Sequence, residues 1–340
     1  MGPAEAPLAL TLGDPAGIGP DITLLAFAAR SRESIPPFVL LGDAAVLAAR
    51  AEALGLSVDI ATVTSAREAA GLFADTLPVL PIEVSGPVVA GRPSQAAMAA
   101  VKHAIERAVA LVQGGEARAL VTNPVSKSHL YQAGFPFPGH TEYLAALAAG
   151  DGEPLLPVMM LVAGPFKVVP VTIHMPLKDV PGSLTRELIL KTIEITETDL
   201  RRFFGYVRPR LALSGLNPHA GEDGSLGREE IEIIMPAIEA AQAQGLDVSG
   251  PYPADTLFHA AARERYDAAL CMYHDQALVP FKTLAFEDGV NVTLGLPFVR
   301  TSPDHGTAFD IAGTGQANPR SLIEALRLAD AMSETARGEA

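Results

Sequence analysis

Tryptophan is absent from the 340-residue chain, cysteine occurs once, and aromatic residues make up only 6%. A single Cys271 excludes an internal disulfide framework and any multi-cysteine zinc site, and it suits a reducing compartment. Positive charge is scarce. Lys and Arg number 25 against 39 Asp and Glu, for a formal net charge of −14 with His neutral. Such a chain lacks the basic field that a general nucleic-acid binder or a binder of anionic membranes needs. Charged residues are few as well, at 19%, and mean hydropathy is +0.25, which excludes a disordered chain. Long hydrophobic runs are also missing. The most apolar window, 155–173, is broken by Pro157, Gly164, Pro165, Lys167 and Pro170. A membrane span needs about 20 apolar residues with few breaks, so the window reads as two buried strands. The opening MGPAEAPLAL has no basic stretch followed by an apolar one, and Ala6 stands where a myristoylation signal wants Ser or Thr. The expectation is a cytoplasmic chain. Neither G-x-G-x-x-G nor G-x-x-x-x-G-K-[ST] occurs anywhere.

Short apolar runs alternate with longer helical stretches. The runs are LALTL (8–12), FVLLG (38–42), RALVT (118–122), PVMMLVA (157–163), KVVPVTI (167–173), RLALSGL (210–216), AALCMY (268–273) and VNVTLGL (290–296). They are too continuous for half-exposed strands and indicate strands covered on both faces. Helical spacing is readable over Ser94 to Gln113, over Leu184 to Phe204, from near Arg228, and after Asn318-Pro319. This alternation predicts an α/β fold with a largely parallel sheet. At roughly 100–200 residues per domain, two domains are expected, though no composition break marks a boundary.

Eight histidines are present, and His174, His219 and His274 lie at or just beyond the C-terminal ends of apolar strands. In open α/β sheets those ends border the ligand crevice. Three neutral imidazoles gathered there would make a divalent-metal site with positions open to substrate oxygens. A plainer role, each ring capping a strand by bonding backbone, stays equally open. His103 and His259 sit in helical patterns and read as ordinary; His129 has no functional case.

Other segments carry two readings each. His140 and Thr141 follow Pro138-Gly139 and suit an anion or hydroxyl, or Thr141 caps a helix. TLGDPAGIGP (11–20) is a Gly-rich turn of the kind that offers N–H groups to phosphate, or a tight strand-to-helix turn. Lys127 would pair an anion or sit solvated at a helix start. Lys282, Asn291 and Arg300 flank a strand and suit capture of an anionic substrate, Arg gripping phosphate or carboxylate bidentately. In HGTAFDIAGTGQANP (305–319), Asp310 suits ribose hydroxyls and Asn318 either adenine or a helix cap.

The segments GDPAGIGPDI, ALVTNPVSK, PGHTEYL, VTIHMPLKDVP, GLNPHAGEDG, PADTLF, MYHDQALVPFK and GVNVTLGLPFVRTSPDHGTAFDIAGTG recur in order along the chain. Together they resemble the 4-hydroxythreonine-4-phosphate dehydrogenase family of vitamin B6 synthesis. The last loop is also similar to the adenine-side loop of isopropylmalate and isocitrate dehydrogenases, which use NAD or NADP without a Rossmann fingerprint.

The resemblance implies two α/β/α domains around a central cleft, the first formed by residues 1–128 plus 300–340 and the second by 129–299. It implies His174, His219 and His274 as ligands of one divalent ion per active site (zinc, magnesium, cobalt or manganese). His140, Thr141, Lys282, Asn291 and Arg300 then match substrate-binding positions. His305, Gly306, Asp310 and Asn318 match cofactor positions through the more distant relatives. Lys127, Asp255 and Asp275 are candidates for the general base, the two acids equally for partners that fix imidazole tautomers. A homodimer is implied, with the active site shared across its interface and His274 supplied in trans. The implied reaction is NAD(P)-linked oxidation of 4-(phosphooxy)-L-threonine followed by decarboxylation to 3-amino-2-oxopropyl phosphate. Alternatives are the same chemistry on 4-phosphorylated threonate, erythronate or another hydroxy acid, and a phosphotransacetylase-like acyl transfer.

Overall fold

The computed structural model describes residues 6–132, 134, 137 and 139–338. Its strands, in chain order, are β1 (Leu8–Thr11), β2 (Phe38–Gly42), β3 (Ile60–Thr62), β4 (Leu77–Pro81), β5 (Leu120–Thr122), β6 (Val158–Ala163), β7 (Phe166–Pro170), β8 (Arg210–Ser214), β9 (Asp247–Tyr252), β10 (Ala268–Cys271), β11 (Val290–Leu294) and β12 (Arg300–Pro303). Every apolar run of the sequence is a strand. β3, β4, β9 and β12 carry no such signal: β3 has three residues, β4 and β9 contain proline, and β12 reads RTSP.

The chain divides into two compact units, 1–157 with 296–334, and 158–295 with 335–340. In the first unit the strand order is β3-β4-β2-β1-β5-β12, with every pair parallel. β1 and β2 are buried at every residue, as strands covered on both faces must be. Val39 and Leu41 share a core with Met98, Val101, Ile105 and Val109 of helix Gln95–Gln113. Alternation turns Phe38 the other way, where its ring meets Phe73 edge-on at 4.9 Å. Helix ends follow local chemistry: Asp43 caps Ala44–Ala53 by accepting from Ala45 N at 2.8 Å, and Thr185 caps Arg186–Phe204 by accepting from Leu188 N at 3.0 Å.

The expected crossing after residue 128 falls after 157 instead. Tyr143, Leu144 and Ala145 of helix His140–Ala149 bury in the core of helix Gln95–Gln113, and Tyr143 Oη donates to Glu106 at 2.7 Å. That helix is therefore bound to the first unit. The return lies at 296, against an expected 300, and residues 335–338, the end of helix Arg320–Gly338, group with the second unit.

In the second unit the order is β11-β6-β7-β10-β8-β9. β6 is antiparallel to both neighbours, and β7, β10, β8 and β9 run parallel. The core joins Leu161, Phe166 and Val168 to Ala269, Cys271 and Phe281. Because β10 lies between β7 and β8, the C-terminal ends of three strands that carry histidine loops are neighbours. Among the described residues no helix is long and apolar enough to cross a membrane.

Candidate active site

The ends of β7 and β10 are zipped beyond the sheet. Val171 N donates to Cys271 O at 2.8 Å, and Thr172 Oγ1 donates to Met272 O at 2.7 Å. This ladder carries His174 and His274 out on adjacent paths, with ring centroids 5.8 Å apart. Both line a cleft of about 420 Å³ with Met175, Leu177, Tyr273 and Asp275. His274 opens helix His274–Ala285, and its Nδ1 lies 2.7 Å from Asp275 Oδ1. With Nδ1–H donated to that carboxylate, the lone pair sits on Nε2. A ring centroid stands roughly 3.2 Å from an ion bound at about 2.1 Å, so two rings at this separation can reach one cation.

His219 sits in the loop after β8. From His219 to Asp223 the backbone is left-handed, with φ of 53°, 51°, 78°, 42° and 53°. Only one of those five residues is glycine, and such strain persists only where surroundings impose it. Buried Glu230 does so: its carboxylate accepts from Asn217 N at 2.7 Å and from Asn217 Nδ2 at 3.0 Å. Glu230 opens a π-type turn, Glu230–Ile234, a distortion frequent at functional sites. Asp255 lies on the turn Ala254–Thr256, which packs beside this loop. Among the described residues of this chain, no group of three or more His, Cys, Asp and Glu side chains is arranged to hold a metal ion. One chain thus presents a pair of facing imidazoles that fits two ligands of an ion, with His219 on the neighbouring loop.

A residue that sequence patterns gave no reason to single out holds these strand ends together. Gln276, almost fully buried, accepts from Ser214 Oγ and Met272 N at 2.7 Å each and donates to Gly215 O at 2.8 Å. Cys271 lies beneath, fully buried, and burial pushes its thiol up to about 12. It is a core residue, not a nucleophile. Lys282 stands two turns along the same helix, its Nζ 5.6 Å from the Phe286 ring centre. Asn291 lies on β11 opposite Leu161.

The first unit holds the remaining candidates. Arg300 begins β12, is 4% exposed, and donates from Nη2 to Thr122 Oγ1 at 2.7 Å. Burial pushes its guanidinium down to about 10. His140 and Thr141 begin helix His140–Ala149 with Gly139 at the cap position, so Thr141 is not the cap. Lys127 opens helix Lys127–Gln132, and its side chain lies outside the described residues. Asn318 Oδ1 accepts from Arg320 N at 3.0 Å, the helix-capping reading of that residue. His305 Nδ1 lies 3.1 Å from Gly306 O, and Asp310 is exposed.

The Gly-rich turn is not an open phosphate cradle. Asp14 N donates to Pro124 O, Gly17 N to Asp14 O and Ile18 N to Thr307 O, all at 3.0 Å, and Ala16 N to Asp14 Oδ1 at 3.1 Å. These four amides are spent inside the fold, and Asp14 is fully buried with its carboxyl raised by burial.

A family model described as "Pyridoxal phosphate biosynthetic protein PdxA" matches residues 33–329. A 4-hydroxythreonine-4-phosphate dehydrogenase from Bradyrhizobium diazoefficiens is 57% identical over 338 residues, covering 97% of this chain and 98% of that one. One from Xanthobacter autotrophicus is 56% identical over 332 residues, covering 97% and 95%. A crystal structure of 4-hydroxythreonine-4-phosphate dehydrogenase from Klebsiella pneumoniae superposes with a TM-score of 0.85 at 38% identity, covering 96% of this chain and 99% of that one.

Proposed function

The chain belongs to the PdxA family of pyridoxal phosphate biosynthetic proteins, and from that membership we propose that it oxidises 4-(phosphooxy)-L-threonine with NAD or NADP, the product losing CO2 to give 3-amino-2-oxopropyl phosphate. The observation that carries this reading is the similarity over nearly the full length of both chains to relatives named 4-hydroxythreonine-4-phosphate dehydrogenase. The facing imidazoles of His174 and His274 support the metal-dependent part.

A divalent ion would supply Lewis-acid polarisation of an alcohol or carbonyl oxygen, and the dinucleotide would accept the hydride. His174 and His274 hold that ion through neutral nitrogens, and Asp275 fixes the His274 tautomer. The third imidazole comes through a homodimer that shares its site across the interface; His274 was the residue expected in trans, and the 5.8 Å approach of His174 and His274 within one chain leaves His219 for that place. Leu177, Val279 and Phe286 support such an interface. They are 66%, 61% and 74% exposed, on the cleft or on the helix that His274 opens. His140, Thr141, Lys282, Asn291 and Arg300 orient the phosphate and carboxylate. The guanidinium of Arg300, held out of water, gains most from an anion. Lys127 or Asp255 takes the hydroxyl proton. His305, Gly306 and Asp310 meet the dinucleotide. The single buried Cys271 fits a cytoplasmic enzyme.

The test is a panel of phosphorylated hydroxy acids with NAD+ and NADP+, followed by absorbance of reduced nicotinamide, before and after thorough chelation. Turnover should be greatest on 4-(phosphooxy)-L-threonine, vanish on chelation and return with a divalent metal. Equal turnover on 4-phosphothreonate would move the substrate assignment, and activity in verified metal-free protein would reject the imidazole site.

A further inference from the structure

A fully buried ion pair remains outside the chemistry described above. Arg50, on helix Ala44–Ala53, and Asp21, on helix Gly19–Ala28, have side chains only 4% and 0% exposed. Arg50 Nη1 donates to Asp21 Oδ2 and, at 2.9 Å, to Gly17 O; Nη2 donates to Pro15 O at 3.1 Å. The other Asp21 oxygen, Oδ1, accepts from Gly313 N at 2.7 Å. The pair therefore joins the turn after β1 to the segment that carries the proposed dinucleotide residues. A second tie, Ile18 N to Thr307 O at 3.0 Å, lies six residues upstream of Gly313.

Asp310 stands between these two anchors, and Gly306 immediately precedes the first. The chain between them includes Ala308 at φ 38°, a left-handed geometry that a non-glycine residue keeps only under constraint. The backbones are also in close contact: a Cβ on Gly17 would come within 2.9 Å of Thr307 O, and one on Gly91 within 2.8 Å of Phe309 O. In the first unit's strand order the chain runs away from β1 on both sides, to β2 one way and to β5 the other. Open α/β sheets bind ligands at the C-terminal side of such a switch point. Both anchored turns occupy that end.

The geometry points to Arg50 and Asp21 as positioning residues that hold the 305–315 strap in its dinucleotide-binding shape. This inference rests on the dinucleotide reading of that strap. Arg50 reaches three oxygens at once through a planar fork, which a lysine ammonium cannot reproduce. The pair touches neither the second unit's imidazoles nor Arg300, so its loss should act on one ligand and not the other.

The experiment compares Arg50→Lys with Arg118→Lys. Arg118 forms the Arg118–Asp330 pair just before β5, at the opposite end of the same sheet, and serves as the control for loss of an ion pair. Titration of wild-type protein with NAD+ and NADP+ comes first; no binding to either would refute the dinucleotide reading itself. With wild-type binding in hand, Arg50→Lys should weaken dinucleotide affinity at least tenfold. Its KM for the phosphorylated hydroxy acid and its kcat at saturating dinucleotide should stay within about threefold. Arg118→Lys should lower the thermal midpoint and leave dinucleotide affinity unchanged. Hydrogen exchange across 305–315 should quicken in Arg50→Lys alone, with no ligand present. If Arg50→Lys yields no folded protein, Asp21→Asn carries the same comparison, since its amide oxygen can still accept from Gly313. A folded variant with unchanged dinucleotide affinity, or with both ligands weakened in parallel, would overturn the inference.

Discussion

A histidine ligates a cation only through a neutral nitrogen, so whatever occupies the other nitrogen decides which face the ring offers. For His274 that occupant is Asp275, at 2.7 Å from Nδ1 and on a largely exposed side chain. Asp275→Ala should therefore cost little stability yet weaken metal affinity by about 10–100-fold, read by equilibrium dialysis against a competing chelator. Unchanged affinity would remove Asp275 from the site. Asp199 shows a different consequence of burial. Its carboxyl, 4% exposed, is pushed up to about 6 by desolvation, which outweighs the Gly295 N–H at 2.7 Å and the Arg202 charge. The folded chain thus holds this proton more tightly than the unfolded one. Its contribution favours the fold below about pH 4 and is lost as pH rises through about 6. Asp199→Asn, which still accepts from Gly295, should raise stability by up to about 3 kcal/mol near pH 7.5 and by less near pH 4.5. Urea midpoints of both proteins at the two pH values provide the comparison, and an equal shift at both would contradict the burial account.

At the scale of elements, a strand is legible when its surroundings are uniform. β1, β2, β5 and β10 are covered on both faces and read as unbroken apolar runs. β9, half-buried at the edge of its sheet, and β12, which is buried at every residue but reads RTSP, have no such pattern: sheet hydrogen bonds rather than side-chain burial define the first, and the second buries polar side chains. The same limit applies to the site. Histidines at strand ends were visible because they terminate apolar runs. Gln276, Glu230 and the Arg50–Asp21 pair were not, because each depends on at least one partner 13 to 62 residues away that only folding brings near. The left-handed loop after β8 depends on one of them. Glu230→Ala leaves Asn217 N without its acceptor, which should cost about 1–3 kcal/mol and hasten protease cleavage across 218–227. Cleavage at the wild-type rate would mean the loop keeps its shape without Glu230.

At the scale of the whole molecule, each unit places candidate binding residues beside the C-terminal ends of its strands, Arg300 by reaching from the start of β12 to Thr122 at the end of β5. The second presents the facing imidazoles and the first the buried arginine and the anchored strap. Full-length similarity to the dehydrogenase relatives gives the family, and the proposed chemistry would rest on a cation held by histidines far apart in sequence. Cobalt titration of metal-depleted protein, followed by visible absorption alongside the same titration of His174→Ala, tests that directly. Saturation near one ion per chain, with a ligand-field band absent from the variant and dehydrogenase activity rising in step, is the predicted result. Full NAD(P)-linked turnover before any cobalt is added, or the same band in His174→Ala, would contradict it.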